Sequence, residues 1–285
     1  MKVSAYIPCF NNAKTLRRAF ESVRAQNSAV DEILIIDDGS TDGSAESLTD
    51  EPGVRVVRHS QNMGRGAARA TATREARNEL VLCCDATGAL AQDFLTKACP
   101  WFDDAKVAAV FGRITQEPPR NAVDRWRGRH LFRMQAAGVM QRRASLATYG
   151  AVVRKSAVMQ VGNYDARLRH TEDAELGRRL LDAGFDVVFD PLLTVTTTVS
   201  NTLAEVLERY WRWNAGAGER MSWLGYLRQI SYALKVMVVA DFRAGDPASA
   251  LISFYSPHYQ FWRSWLRRKR KGVVSPGTFT ETSPP

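Results

Sequence analysis

Carboxylates stand at three places in this chain where a patterned stretch starts or stops. Asp37-Asp38 follows the apolar run Glu32 to Ile36, Asp85 follows the run ending at Cys84, and Glu172-Asp173 opens an amphipathic stretch. An acid just past a buried parallel strand faces the crevice where open α/β sheets bind ligands. There it can accept a hydrogen bond or a proton. A fourth cluster, Arg209-Tyr210-Trp211-Arg212-Trp213, sets cations beside aromatic rings. Each has a plainer alternative. Asp85 also fits a core strand with a capping acid. Glu172 and Asp173 also fit a helix start, where the dipole favours acids by up to ~1 kcal/mol. The aromatic cluster also fits an amphipathic helix. Metal chemistry based on Cys or His is not expected. Cys9, Cys83, Cys84 and Cys99 lack zinc-type spacing, and the four histidines are dispersed.

The elements that must position these acids alternate in type. Val3 to Pro8 reads as a strand, followed by the turn Cys9-Phe10-Asn11-Asn12. Ala13 to Gln26 carries Leu16, Ala19, Phe20 and Val23 on one helical face. Glu32 to Ile36 is a second strand, with Gly39 for a tight turn and Ser40, Thr41 or Asp42 to cap a following helix. Val54 to Val57 is a third strand, and Gly64-Arg65-Gly66 opens a helix to about Arg77. That Gly pair lacks the full dinucleotide-loop spacing and follows the third strand, not the first. The stretch Glu79 to Thr87 supplies the fourth strand, and the upstream chain is built toward it. Alternating strands and helices imply right-handed crossovers and a mostly parallel sheet.

Four segments in order resemble family 2 glycosyltransferases with the GT-A fold. They are Pro8-Cys9-Phe10-Asn11, Asp37 to Asp42, Asn62-Met63-Gly64 through Ala68-Arg69, and Glu172-Asp173 followed by Leu176-Gly177-Arg178-Arg179-Leu180. The resemblance covers about residues 1 to 215. It implies a GT-A catalytic domain, with 1–112 as the nucleotide-sugar half and 113–215 as the acceptor half. Residues 216–272 then read as an amphipathic, basic helical extension and 273–285 as a disordered tail.

By that resemblance, Pro8, Phe10, Asn11, Asp38, Arg65, Asp85 and Ala86 would bind the nucleotide. Asp38 would meet the base, Arg65 the base or phosphates, and Asp85 the ribose. Asp173 would be the base that deprotonates an acceptor hydroxyl in an inverting transfer, with Glu172 positioning the acceptor or a neighbour. Tyr164-Asp165 with Arg167 resembles the family's Gly-aromatic-Asp segment. Arg209, Arg212 and Trp213 resemble the Gln-x-x-Arg-Trp box, with Arg209 in place of Gln, and would meet the diphosphate or the acceptor. The chain also departs from the pattern. The metal-binding Asp-x-Asp ends here as Asp85-Ala86-Thr87, and Thr196, Thr197 and Thr198 stand where relatives place a metal-binding His. Asn12 replaces a further acid. Mg²⁺ or Mn²⁺ is therefore expected to bind weakly, through Asp85, or not at all.

The expected function is transfer of a sugar from a nucleotide-activated donor to a lipid-linked or cell-surface glycan. The alternative is a non-catalytic binding or scaffold protein with a degenerate metal site. The net charge of +9 admits nucleic acid, an anionic membrane or an anionic substrate. No nucleic-acid module accompanies the charge, so nucleic acid is set aside. Arg263 to Lys271 holds six basic residues and no acid, beside an aromatic-rich stretch from Ala248 to Trp265. That composition suits a membrane interface. No run reaches the roughly 20 apolar residues of a membrane span. No signal peptide is expected before the first strand, and buried cysteines suit a reducing compartment. The expected location is cytoplasmic, peripheral on the inner face of the membrane.

Overall fold

The computed structural model describes residues 1–134, 138–214 and 220–266. The expected disordered tail, and the basic run from Arg267 to Lys271, lie outside the described residues. The chain divides into two compact units, one of residues 1–117 and 134–199, the other of 118–133 and 200–285.

The first unit is an eight-stranded sheet in the order β3-β2-β1-β4-β7-β6-β8-β5. The strands are β1 Val3–Cys9, β2 Glu32–Asp37, β3 Val54–Arg58, β4 Leu80–Cys84, β5 Gly88–Leu90, β6 Val107–Gln116, β7 Gly150–Arg154 and β8 Asp186–Thr197. β1 pairs in parallel with both β2 and β4, β2 pairs in parallel with β3, and β6 with β8. β7 is antiparallel to β4 and β6, and β5 to β8. The parallel half is the one read from the alternating strands and helices. The antiparallel strands follow β4, where the periodicity is less regular.

β2 and β4 are buried along their whole length, as strands covered on both faces must be. Alternate side chains enter separate cores. Leu80, Leu82 and Cys84 join one cluster with Leu16, Phe20 and Phe94, while Val81 and Cys83 join the other with Tyr6, Leu176 and Tyr164. The two adjacent cysteines thus point to opposite faces, as the period of two requires. Helices α1 Leu16–Arg24, α2 Arg65–Glu75 and α3 Phe94–Ala98 flank this sheet. The helix expected after β2 is a single 3₁₀ turn at Glu46–Leu48. Asp42 does not cap it; its carboxylate accepts from the Ala13 and Ser44 backbone N–H groups.

The second unit is helical: α4 Ala122–Trp126, and, after α5 Lys155–Gln160 and α6 Glu172–Asp182 of the first unit, α7 Leu203–Asn214, α8 Trp223–Tyr232, α9 Val239–Arg243 and α10 Pro247–Leu266. A buried polar network joins its two chain segments. Asp241 accepts from His130 (2.8 Å) and Ser253, the Trp126 indole donates to Ser253 (2.8 Å), and Arg125 forks onto Asp246 (2.8 and 2.9 Å). These charge-assisted bonds hold Asp246 well below the usual carboxylate range, the Arg125 bond being the main cause.

Candidate active site

The loops after β1, β2 and β3 are clasped by their own polar side chains. Asn11, in the left-handed region at φ 53°, accepts from the Thr41 N–H (2.9 Å), and its own N–H donates to Ser40 Oγ (3.1 Å). Phe10 beside it is 44% exposed, and Pro8 lies within β1 opposite Ile36. Asn12 accepts from the Phe10 N–H (3.0 Å), so the residue replacing an acid serves the turn. Asp37 is fully buried and accepts from the Ser40 N–H (2.9 Å) and Arg58 Nε (2.7 Å). Asp38, expected to meet a base, accepts from the Met63 N–H (2.9 Å) and Gly64 N–H (2.7 Å) and pairs with His59 Nδ1 (2.7 Å). A carboxylate offers about four acceptor positions, and with Asp38 only 4% exposed these three bonds use most of them.

That loop explains the Gly64-Arg65-Gly66 sequence without a dinucleotide. Gly64 has φ 98°, and a Cβ on Gly66 would sit 2.3 Å from the Asp165 carbonyl oxygen. The Gly66 N–H donates to the Leu168 carbonyl (3.1 Å), and Arg169 forks onto Asn62 (2.7 and 2.9 Å). The glycines let residues 165–169 pass close across the start of α2. Arg65 lies exposed there, with Nη2 3.3 Å from His170 Nδ1.

The centre of the site is Arg69, one turn further along α2 and 1% exposed. Its Nη2 donates to Asp85 (2.9 Å) and its Nε to Glu172 (3.1 Å). Its Nη1 faces Cys83 Sγ at 2.7 Å. Burial pushes that thiol up to about 12, so it is neutral and donates to the Thr148 carbonyl (2.9 Å). One guanidinium therefore joins the acid at the end of β4 to the acid opening α6. In the sequence Arg69 is only the last residue of the Asn62–Arg69 motif, and the motif does not disclose this role. The signal available was an Arg in an otherwise small, buried helix face: Ala67, Ala68, Ala70 and Ala72. Glu172 is itself 1% exposed, which makes it a partner of Arg69 and leaves no surface for an acceptor.

Asp173 is the less buried of the pair. Its Oδ2 lies 3.3 Å from both the Thr148 N–H and the Thr148 hydroxyl, and its Oδ1 accepts from the Ala174 N–H (2.9 Å). Burial, and then the neighbouring Glu172 charge, raise its pKa above the ordinary carboxylate value. A raised pKa suits a proton acceptor. Thr171 before it sits at φ 63°, rare for a β-branched residue. Backbone strain of this kind concentrates at functional sites.

The residues present do not fit a tightly held divalent ion. Among the described residues, no three His, Cys, Asp or Glu side chains are grouped to hold one. Asp85 has one oxygen committed to Arg69, and the Ala86 side chain is buried in the core, leaving only its backbone for a nucleotide. Thr87, which stands where an acid is expected, neighbours Thr198, one of the three threonines standing where a His is expected. The Thr198 N–H (2.9 Å) and hydroxyl (3.1 Å) both reach the Thr87 carbonyl. Neutral hydroxyls are weak ligands for Mg²⁺ or Mn²⁺ compared with carboxylates.

Arg209, Arg212 and Trp213 belong to α7 in the second unit. There Tyr210 and Trp211 are buried, while Trp213 is 53% exposed and faces Phe132 at 6.2 Å.

Residues 4–162 match the family model described as Glycosyl transferase family 2. A pre-mycofactocin glycosyltransferase of Mycobacterium tuberculosis is 28% identical over 201 residues, covering 68% of this chain and 42% of the relative. A poly-beta-1,6-N-acetyl-D-glucosamine synthase of Staphylococcus aureus is 26% identical over 233 residues, covering 76% and 55%. The chain thus spans about half the length of these curated relatives. Among solved structures, the mannosyltransferase PcManGT of Pyrobaculum calidifontis, in complex with GDP-Man and Mn²⁺, superposes with a TM-score of 0.56 at 16% identity. That match covers 93% of this chain and 73% of the other, and it shows the shared fold. With an ordered set of motifs on a GT-A sheet and more than half of its length matched by the family model, the chain belongs to glycosyltransferase family 2.

Proposed function

We propose that this protein is an inverting glycosyltransferase that moves a sugar from a nucleotide-activated donor to a lipid-linked or cell-surface glycan. The acceptor oxygen attacks the anomeric carbon and the nucleoside diphosphate leaves from the opposite face. The acceptor's proton passes to Asp173. The observation carrying this reading is the Asp173 carboxylate, raised in pKa and held beside the Arg69 bridge between Glu172 and Asp85. Asp85 would hold the ribose, with Phe10, Asn11 and Asp38 around the base. Arg65, Arg209 and Arg212 are the candidates to neutralise the leaving diphosphate, since Arg engages phosphate oxygens bidentately. Trp213 would stack on an acceptor sugar. The location proposed is the cytoplasmic face of an anionic membrane.

The test is Asp173→Asn. Turnover should fall by ~100-fold or more while donor affinity stays within a few fold. A fully active variant would overturn the assignment. The second reading is a non-catalytic binding protein, favoured by the missing metal ligands. A purified wild-type chain that binds nucleotide sugars but neither transfers nor hydrolyses them, with or without Mn²⁺, would select it.

A further inference from the structure

The helices of the second unit carry an apolar face that the glycosyltransferase reading does not use. Along α10, Leu251, Phe254, Tyr255, Trp262 and Trp265 recur at helical spacing and are all between 46% and 72% exposed. The stretch from α8 to α9 repeats the pattern with Trp223, Leu227, Leu234 and Phe242, between 43% and 66% exposed. The two stripes meet. Leu234, Val238 and Phe242 from one side and Pro247, Leu251 and Phe254 from the other line one groove of about 520 Å³. At the far end Phe261 packs at a tilt against both Trp223 (4.9 Å) and Tyr226 (4.4 Å). Contiguous apolar faces of this kind mark partner or membrane surfaces.

Charge decides which. Between residues 221 and 266 the acids are Asp241 and Asp246, and both are buried against Arg and His partners. The exposed charges are Arg228, Lys235 and Arg243, all basic. Arg228 and Lys235, seven residues apart, share one helix face. A second copy meeting this face across a two-fold axis would bring like charges together. An anionic bilayer would not. Exposed Trp and Tyr beside basic side chains suit the headgroup boundary. No described helix is long and apolar enough to cross a membrane, so the face would lie in the interface plane.

We infer that the α8–α10 face docks flat on an anionic lipid surface, with the groove between the two stripes accepting acyl chain. This deepens the peripheral-membrane reading above, but its test needs no sugar, so it fails or stands apart from the transferase assignment. The full chain is floated with vesicles of phosphatidylcholine alone or mixed with phosphatidylglycerol. Binding should require phosphatidylglycerol, weaken as salt is raised, and shift tryptophan emission to the blue. Leu251→Glu/Phe254→Glu should weaken flotation about tenfold or more, since two inserted apolar side chains are lost. Both positions are exposed, so circular dichroism and melting should match the wild type. Equal flotation of variant and wild type would overturn the inference, and so would equal binding to both vesicle types. Lipid-free dimerisation abolished by the same substitutions would assign the face to a second copy instead.

Discussion

Replacing Arg69 by Met tests the organisation of the site most directly. Met fills a similar volume but removes the guanidinium that faces Glu172 at 3.1 Å and Asp85 at 2.9 Å. The two acids lose unequally. The Asp85 side chain is 24% exposed and can regain water, whereas the Glu172 side chain is 2% exposed. Stranding a buried charge costs about 3–5 kcal/mol. Against a domain stability of about 5–15 kcal/mol, that is a large loss. Removing the stranded charge as well, in Arg69→Met/Glu172→Gln, should recover part of the loss. Urea unfolding of wild type, both single variants and the double variant gives the coupling energy. Where Arg69→Met folds too poorly to measure, Arg69→Lys keeps a charge without the fork that spans both acids. A second readout separates positioning from mere stability. Arg69 lowers the pKa of Asp173 against the effects of burial and Glu172. Its loss raises that pKa further, and the acid limb of the pH–rate profile should move to higher pH. A loss below ~1 kcal/mol with additive single effects would refute the bridge, because surface-like substitutions cost that little.

Three further outcomes follow from the same geometry. Asp173→Asn should stabilise the fold at neutral pH while lowering turnover by ~100-fold or more. The pKa of Asp173 is raised in the folded state, so the stability tied to its protonated form is full below the ordinary value of 3.8 and lost as pH rises through the raised one. The difference in melting temperature should therefore shrink on acidification, and a gain that grew with acid would show the sign to be wrong. Gly66→Ala places a Cβ 2.3 Å from the Asp165 carbonyl oxygen. The overpacking should cost about 1–3 kcal/mol in chemical unfolding, and an unchanged midpoint would mean that the 165–169 segment yields freely. Nucleotide binding should survive EDTA, and Thr87→Asp should strengthen Mn²⁺ binding by calorimetry; loss of wild-type donor binding in EDTA, restored by Mn²⁺, would contradict the weak donor set.

Much of the nucleotide half was legible because local rules suffice there. The fully apolar β2 and β4 runs, and the acids that end them, state both a parallel sheet and its ligand edge. Side-chain roles were less legible, because a carboxylate's partner is set by distant chain. Asp38 reads as a ligand contact from its position, yet three of its bonds go to the loop and histidine at residues 59–64. Glu172 and Asp173 are adjacent in sequence and opposite in environment. Glu172 turns inward to a residue 103 positions away, and Asp173 turns to Thr148. No periodicity encodes that choice; it depends on where α2 and the 144–149 segment stand beside the start of α6. The pairing of the antiparallel strands, rather than the β7 strand itself, was obscure for a related reason, since β7 pairs with both β4 and β6 across long connections.

The altered metal positions make sense together once their placement is known. The resemblance implies an ion held partly by an acid at position 87 and by a His in the stretch now occupied by Thr196, Thr197 and Thr198. Such an ion would tie the chain after β4 to the end of β8. Here Thr198 makes that tie directly, through its N–H and hydroxyl to the Thr87 carbonyl. Two uncharged hydrogen bonds, each contributing about 1 kcal/mol, replace the crosslink but not the ion's charge. The end of β8 is thus tied to the chain after β4 by hydrogen bonds alone, and under the proposed function arginine is the candidate source of positive charge for a diphosphate. Arg69 cannot be the main supplier, because its charge is already shared by Asp85 and Glu172. Arg65, exposed at the start of α2, is the proposed diphosphate partner in the first unit, so removing it should weaken binding of a nucleoside diphosphate more than binding of the corresponding nucleoside.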